Sequence, residues 1–251
     1  MSYPRTGGTL LAKMLQRHSK VGLVSEVHPD YTSLYPLDFQ LKNWFDIESS
    51  GNYRIDLNTY IQKMWEMNKI PVIRDFSCFD FNKVTKEQEV EPTNLKLLLN
   101  EGYNVVRIAL VRNAFDVWLS QKTPDHFGAQ YLSYVKSIIQ HQFEIFKYDD
   151  LCDKPNQILS EIMQRMNLDQ EAKQLLDLKN LDKITGDISI DYGSRGFERD
   201  GILKLKRRAI PLMKLTTALW NSDMKKANDL LNYSTSIFEE DFQKNKIKLT
   251  R

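Results

Sequence analysis

Apolar residues along this chain switch between two periods. Leu10, Leu11, Met14 and Leu15 recur at helical spacing and predict a helix from Leu10 to His18 behind a glycine turn. Val21 to Ser25 is a short apolar run of strand type that ends at Glu26. The same alternation continues with a helix from Leu57 to Asn68, a strand opened by Pro71-Val72-Ile73 and closed near Arg74-Asp75, and a helix from Leu95 to Glu101 that stops at Gly102. Val105 to Val111 gives the strongest strand signal, β-branched and apolar on both faces as in buried parallel strands. Helices over Phe115 to Gln121 and Tyr131 to His141, a strand over Phe143 to Tyr148 and a helix over Pro155 to Met166 complete the series. Strand and helix in turn predict an α/β fold, a doubly wound parallel sheet with helices on both faces, built as one domain over residues 1–251.

Two stretches depart from this rhythm. Leu181 to Arg208 is rich in glycine and charge, through Thr185-Gly186-Asp187 and Gly193-Ser194-Arg195-Gly196, and is long for a neutral connection. Lys214 to Arg251 is amphipathic and lysine-rich, the pattern of a packed helix followed by a frayed tail.

Composition narrows the function classes. Of 251 residues, 41% are hydrophobic and 27% charged, as in a globular domain rather than a disordered one. A formal charge of +2 is too small for a general nucleic-acid binder, so a bound anion must be held by a local cluster. The two cysteines, Cys78 and Cys152, are expected as free thiols in a reducing compartment. No apolar run approaches the roughly 18 residues of a bilayer span, and the first residues carry no signal-peptide core, so the expected location is the cytoplasm. No His/Cys cluster suggests a metal.

Tyr3-Pro4-Arg5-Thr6-Gly7-Gly8-Thr9-Leu10-Leu11 is the first candidate for chemistry. Two glycines permit a tight turn, Thr9 can cap the following helix, and a helix N-terminus presents unpaired N–H groups to an anion. Arg5 can grip two anionic oxygens through its fork. The GxxxxGK[ST] pattern is absent, so this is not a Walker A loop. Val105 to Ser120 holds the second candidate. Arg112 ends a buried strand, where open α/β sheets bind ligands, and Ser120 follows on the next helix eight residues later.

These two stretches resemble the anion motifs of sulfotransferases that use PAPS, 3′-phosphoadenosine 5′-phosphosulfate. The first is similar to the 5′-phosphosulfate loop, with Arg5 at the basic position and Thr6 and Thr9 at hydroxyl positions; Gly8 replaces the more usual hydroxyl residue. The second is similar to the 3′-phosphate motif, an Arg-Asn-x-x-Asp run with a serine on the next helix, here Arg112, Asn113, Asp116 and Ser120. Ser194-Arg195-Gly196 and Lys206-Arg207-Arg208 resemble the late basic loop that closes over the 3′-phosphate, and Phe146 to Leu151 resembles a scaffold segment. Glu26 lies 21 residues after Arg5, the layout of the tyrosylprotein and several carbohydrate branches, in which a glutamate ending this strand is the general base.

The resemblance implies transfer of a sulfuryl group from PAPS to an acceptor hydroxyl, leaving PAP (adenosine 3′,5′-bisphosphate) and needing no metal. Arg5, Thr6, Gly7, Gly8, Thr9 and Leu10 would hold the 5′ end of the donor, and Arg112, Ser120, Arg195 and Gly196 the 3′-phosphate. Glu26 would be the base; His28 competes, because an imidazole titrates near neutrality without tuning. The acceptor, whether small phenol, carbohydrate, lipid or peptide tyrosine, is expected to meet aromatic residues between 30 and 70, among them Tyr31, Tyr35, Phe39, Trp44, Phe45 and Trp65. The rival readings are a non-catalytic PAP-binding relative and a kinase-like phosphotransferase. In the resembling family a central strand precedes the phosphosulfate loop, and strands run to about five residues. Only Met1 to Tyr3 precede Pro4, so the expectation is a first strand cut short.

Overall fold

The structure, a computed structural model, describes residues 1–31, 35–122, 124–169, 210 and 212–234. The late basic stretch with Arg195, Gly196 and Lys206-Arg207-Arg208 lies outside the described residues, as does the end of the C-terminal tail.

The elements alternate as the periodicity predicts. Helix α1 (Gly8–Gln16) leads to β1 (Val21–Val27), then α2 (Leu37–Phe45), α3 (Tyr53–Glu66) and β2 (Ile70–Asp75). A helical turn α4 (Cys78–Phe81), α5 (Thr93–Asn100), β3 (Ile108–Val111), α6 (Ala114–Ser120) and α7 (Phe127–Gln140) follow. β4 (Glu144–Lys147), α8 (Tyr148–Asp153), α9 (Pro155–Arg165), α10 (Leu212–Trp220) and α11 (Ser222–Leu230) complete the described order. The sequence pattern missed α2, whose nine residues bury only Leu37, Gln40 and Leu41. It also set the start of α1 too late, because Gly7, and not Thr9, is the N-cap.

The strands form two parallel pairs. β1 pairs with β2 from Val21↔Ile70 to Ser25↔Arg74, with a register irregularity before Val27↔Asp75. β3 pairs with β4 from Ile108↔Glu144 to Val111↔Lys147. Side chains alternate across each pair, so each has two apolar faces to cover. Leu23, Leu110 and Phe146 join a core with α1, α8 and α9, whereas Val24 packs with α2 and α3, and Ala109 and Val111 with α6, α7 and α11. β3 is shorter than the predicted Val105 to Val111, because pairing with β4 begins at Ile108.

Between the pairs lies a cleft of about 550 Å³, lined by the whole of β2, by Tyr103 to Ile108, and by α1, α3 and α5 side chains. Met1 to Tyr3 enters one end of it: Ser2 bridges Leu110 in parallel, Leu110 N–H donates to Met1 O at 3.2 Å, and the Met1 amino group donates to Ile108 O at 2.6 Å. The facing edges of β2 and β3 are thus not paired with each other, and strand edges left open in an apolar cleft are costly.

An extended, uncharged, β-branched segment of about six residues fused ahead of Met1 is expected to fill this cleft and raise the melting temperature by several degrees. A Gly/Ser segment of equal length should not. Equal melting temperatures for the two fusions would show that the cleft does not take a strand.

Candidate functional site

The loop from Pro4 to Gly8 sits where the two strand pairs meet. Gly7 has φ +95°, the left-handed region that favours glycine, and a methyl group there would strike the Tyr148 ring and approach Leu110. A methyl group on Gly8 would strike Ser2 and approach Arg74 Nε. The loop is therefore wedged between Tyr148 and Leu110 on one side and Ser2 and Arg74 on the other. The first intrahelical bond of α1 is Leu11 N–H to Gly7 O at 3.2 Å, so the amides of Gly8, Thr9 and Leu10 precede the ladder at the positive end of the helix. No side chain caps that end. Thr6 is fully buried and donates its hydroxyl to Tyr3 O at 2.7 Å, so its side chain braces the loop from within. Arg5 is exposed, with φ 72°.

Eight non-glycine residues among those described have positive φ. Asp46, Asn68, Lys122, Gln142, Asn167 and Asn232 lie just beyond helix ends, where left-handed backbone is ordinary. The two that do not are Arg5 and Glu26, the sequence-derived pair. Such strain persists where the surrounding structure imposes it and clusters at functional sites.

Glu26, with φ 55°, sits at the irregularity in the β1–β2 pairing between Ser25 and Val27. Arg74, across the strand pair, donates through Nη2 to Glu26 Oε1 at 2.7 Å and through Nη1 to Ser25 Oγ at 3.0 Å. Both side chains are largely buried, 12% and 15% exposed for Arg74 and Glu26.

His28 is buried, and both its ring nitrogens are engaged. Nε2 meets Asp80 Oδ1 at 3.1 Å, and Nδ1 accepts from Asp30 N–H at 3.1 Å. Burial depresses its pKa, but the hydrogen bond and field of Asp80, with Asp75 and Asp30, outweigh that and raise it. Asp75 accepts from Asn94 Nδ2 at 2.6 Å and is pushed up to about 6 by burial and by Asp80, partly offset by the Met1 amino group.

Arg112 ends β3 with its guanidinium 4.5 Å from the centre of the Tyr148 ring. Tyr148 is the ring that abuts Gly7, so one aromatic side chain separates the two anion motifs. Among the described residues, Arg112 Nε is buried with no hydrogen-bond partner. Its backbone is held by Tyr131, whose hydroxyl donates to Arg112 O at 2.6 Å. Two amides at the start of α6 are already satisfied: Phe115 N–H by Asn113 Oδ1 and Ala114 N–H by Asn228 Oδ1 of α11. Ser120 lies in the last turn of α6, and its neighbour Gln121 donates to Pro4 O at 3.1 Å, tying that end of the helix to the loop.

The structure thus brings Gly7, Gly8, Thr9, Leu10, Arg112 and the end of α6 around one loop, with Glu26 linked to it through Arg74. Tyr148 was read only as scaffold in sequence. Its one signal was its place at the end of a predicted strand. Among the aromatic residues proposed for an acceptor, Tyr31 packs edge-on to Phe76 and Phe79, with ring centres 5.0 and 5.6 Å apart. Trp65 instead lines the cleft. Among the described residues no group of three or more His, Cys, Asp or Glu side chains is placed to hold a metal ion, and no helix is long and apolar enough to cross a membrane.

No family model matches the chain, and no curated protein matches it in sequence. Solved structures do. A sulfotransferase domain from the curacin biosynthetic pathway matches with a TM-score of 0.57 at 18% identity, over 93% of this chain and 98% of that one. A sulfotransferase domain from the Synechococcus PCC 7002 olefin synthase matches with a TM-score of 0.60 at 15% identity, over 93% and 94%. At these identities the likeness is one of fold, an α/β fold shared along nearly the whole chain.

Asp75 gives the site a pH signature. A carboxyl group with a folded pKa near 6 and an unfolded value of 3.8 binds more protons when folded, so stability is lost as pH rises from about 4 to 6. Asp75→Asn, which retains an acceptor for Asn94, is expected to raise the melting temperature at pH 7.5 more than at pH 4. An equal difference at the two pH values would show that Asp75 is not held as a buried acid.

Proposed function

We propose that this protein is a sulfotransferase that moves the sulfuryl group of PAPS onto an acceptor hydroxyl. The observation that carries the reading is the pairing of two anion motifs across Tyr148: unpaired first-turn amides of α1 on one side, the Arg112 guanidinium on the other. A donor with phosphate groups at both ends of a nucleoside needs two such sites. The shared fold with two sulfotransferase domains supports the same reading, and we read the two strand pairs as parts of one doubly wound sheet.

In this reading the amides of Gly8, Thr9 and Leu10, with Arg5, hold the 5′ end of the donor. Arg112 and Ser120 hold the 3′-phosphate, with Arg195 and Gly196, which lie outside the described residues, as further candidates from the sequence. The acceptor oxygen attacks sulfur in line, the bond from sulfur to the bridging oxygen breaks, and PAP departs with that oxygen. Glu26 takes the acceptor proton. Positioning and charge stabilisation supply most of the rate, since the protein forms no covalent bond. Glu26 is preferred to His28 because both imidazole nitrogens are occupied by Asp80 and Asp30. The acceptor is a hydroxyl-bearing small molecule, sugar, lipid or peptide. The two free thiols, Cys78 and the buried Cys152, fit the cytoplasm as its location.

Charge-assisted hydrogen bonds contribute about 1.5–3 kcal/mol each, so Arg112→Ala should weaken PAP binding on the order of tenfold or more. Calorimetric titration tests this, and equal affinities would remove Arg112 from the site.

Glu26→Gln is expected to lower turnover by about 10²–10⁴-fold, the range of general-base loss, while donor binding persists. The assay screens pooled hydroxyl acceptors with labelled PAPS and compares variants on any hit. His28→Asn is the control, and an active Glu26→Gln beside an inactive His28→Asn would reverse the assignment. Tight PAP binding with no turnover on any acceptor would favour the non-catalytic binding module.

A further inference from the structure

Glu26 holds a left-handed backbone, φ 55°, near the end of β1, where extended backbone is the ordinary form. The reason lies in the core. Along β1, Leu23 packs toward α1, α8 and α9, and Val24 toward α2 and α3. Strict alternation would send residue 26 into the same apolar core as Val24. Instead Val27 joins Val24 there, fully buried. Glu26 is the extra residue between Ser25, opposite Arg74, and Val27, opposite Asp75. An inserted residue of this kind re-aims a side chain, here a carboxylate that the apolar core could not accept.

Two buried side-chain amides fix the peptides on either side. Gln40 of α2, fully buried, accepts from Ser25 N–H at 2.8 Å and donates to Ser25 O at 2.7 Å, as the backbone of a neighbouring strand would. It also donates to Tyr35 O at 2.8 Å, which fixes the amide in place. On the far side, Asn94 of α5 donates to Val27 O at 2.9 Å, an oxygen that Phe76 N–H also reaches at 3.1 Å. Asn94 is held in turn by the Tyr53 hydroxyl and by Asp75. We infer that Gln40 and Asn94 are positioning residues for the proposed base: their amides clamp the peptides flanking Glu26 and hold the left-handed turn that sets the direction of its carboxylate. The inference rests on the reading of Glu26 as the base, and it brings α2, which carries no part of either anion motif, into the catalytic geometry.

The clamp is read without any ligand. At a left-handed position glycine is favoured over alanine, whereas in an ordinary strand alanine is favoured. Glu26→Gly should therefore melt about 2–4 °C above Glu26→Ala, although both lack the carboxylate. In a Gln40→Met background, which removes the amide at similar volume, that difference should shrink or reverse. Gln40→Glu, whose carboxylate loses both donations, serves if Gln40→Met does not fold. A Glu26→Ala variant as stable as Glu26→Gly, or a difference that substitution of Gln40 leaves unchanged, overturns the clamp.

Its role in catalysis is read as a split between turnover and donor affinity. Gln40→Met should lower sulfuryl transfer from labelled PAPS to the pooled hydroxyl acceptors on the order of 10- to 100-fold, the cost of a misplaced catalytic group, with PAP affinity by calorimetry unchanged. Wild-type turnover in Gln40→Met, or equal losses of turnover and PAP affinity, overturns the positioning role and leaves Glu26 as the base. Full turnover in Glu26→Gln, or no transfer by wild type to any acceptor, overturns the base reading and this inference with it.

Discussion

The structure turns on the crowding around Gly7 and Gly8. Neither position can carry a side chain, because Tyr148 and Leu110 press on one and Ser2 and Arg74 on the other. Tyr148 and Leu110 belong to the β3–β4 half, and Arg74 belongs to the β1–β2 half. These two residues are therefore where the halves of the molecule touch through a turn of backbone. The same crowding aims the start of α1 at the mouth of the site, so a packing constraint also sets the direction of the helix dipole.

Much of this was legible in the sequence, and the reasons are physical. Apolar periodicity revealed α1, α3, α5, α7 and α9 because each buries one face against a strand pair. The anion motifs were legible because glycine pairs and arginines at strand ends leave local signatures. The partner of Glu26 was harder to find. Ser25 and Arg74 are 49 residues apart, and only parallel register brings them opposite each other. Sequence placed Arg74 only at the end of a predicted strand. The roles of Thr6 and His28 were invisible, since a buried hydroxyl on Tyr3 O and an imidazole between Asp80 and Asp30 depend on three-dimensional partners. So was Asn228, which reaches back 114 residues to satisfy Ala114 N–H.

The chemistry follows from where charge is left unbalanced. Burial forces polar groups to find partners, and most of those near the loop do so within the protein: Thr6 with Tyr3, Asn94 with Asp75, Asn113 with Phe115. Among the described residues the Nε atoms of Arg74 and Arg112 are exceptions, both buried without a hydrogen-bond partner, the second beside Tyr148. A ligand with two separated anionic groups would reach the first-turn amides of α1 and the Arg112 guanidinium together, and a single phosphate would reach one.

That difference gives the most direct test of the account. Ligands that bind only the folded state stabilise it by RT ln(1 + [L]/Kd) and so raise the melting temperature. Thermal unfolding is to be followed in chelator-containing buffer with PAP, with adenosine 5′-monophosphate, and separately with ATP and magnesium. PAP without metal should stabilise the protein clearly and the monophosphate much less. No shift with PAP, or a larger one with ATP and magnesium, would contradict it.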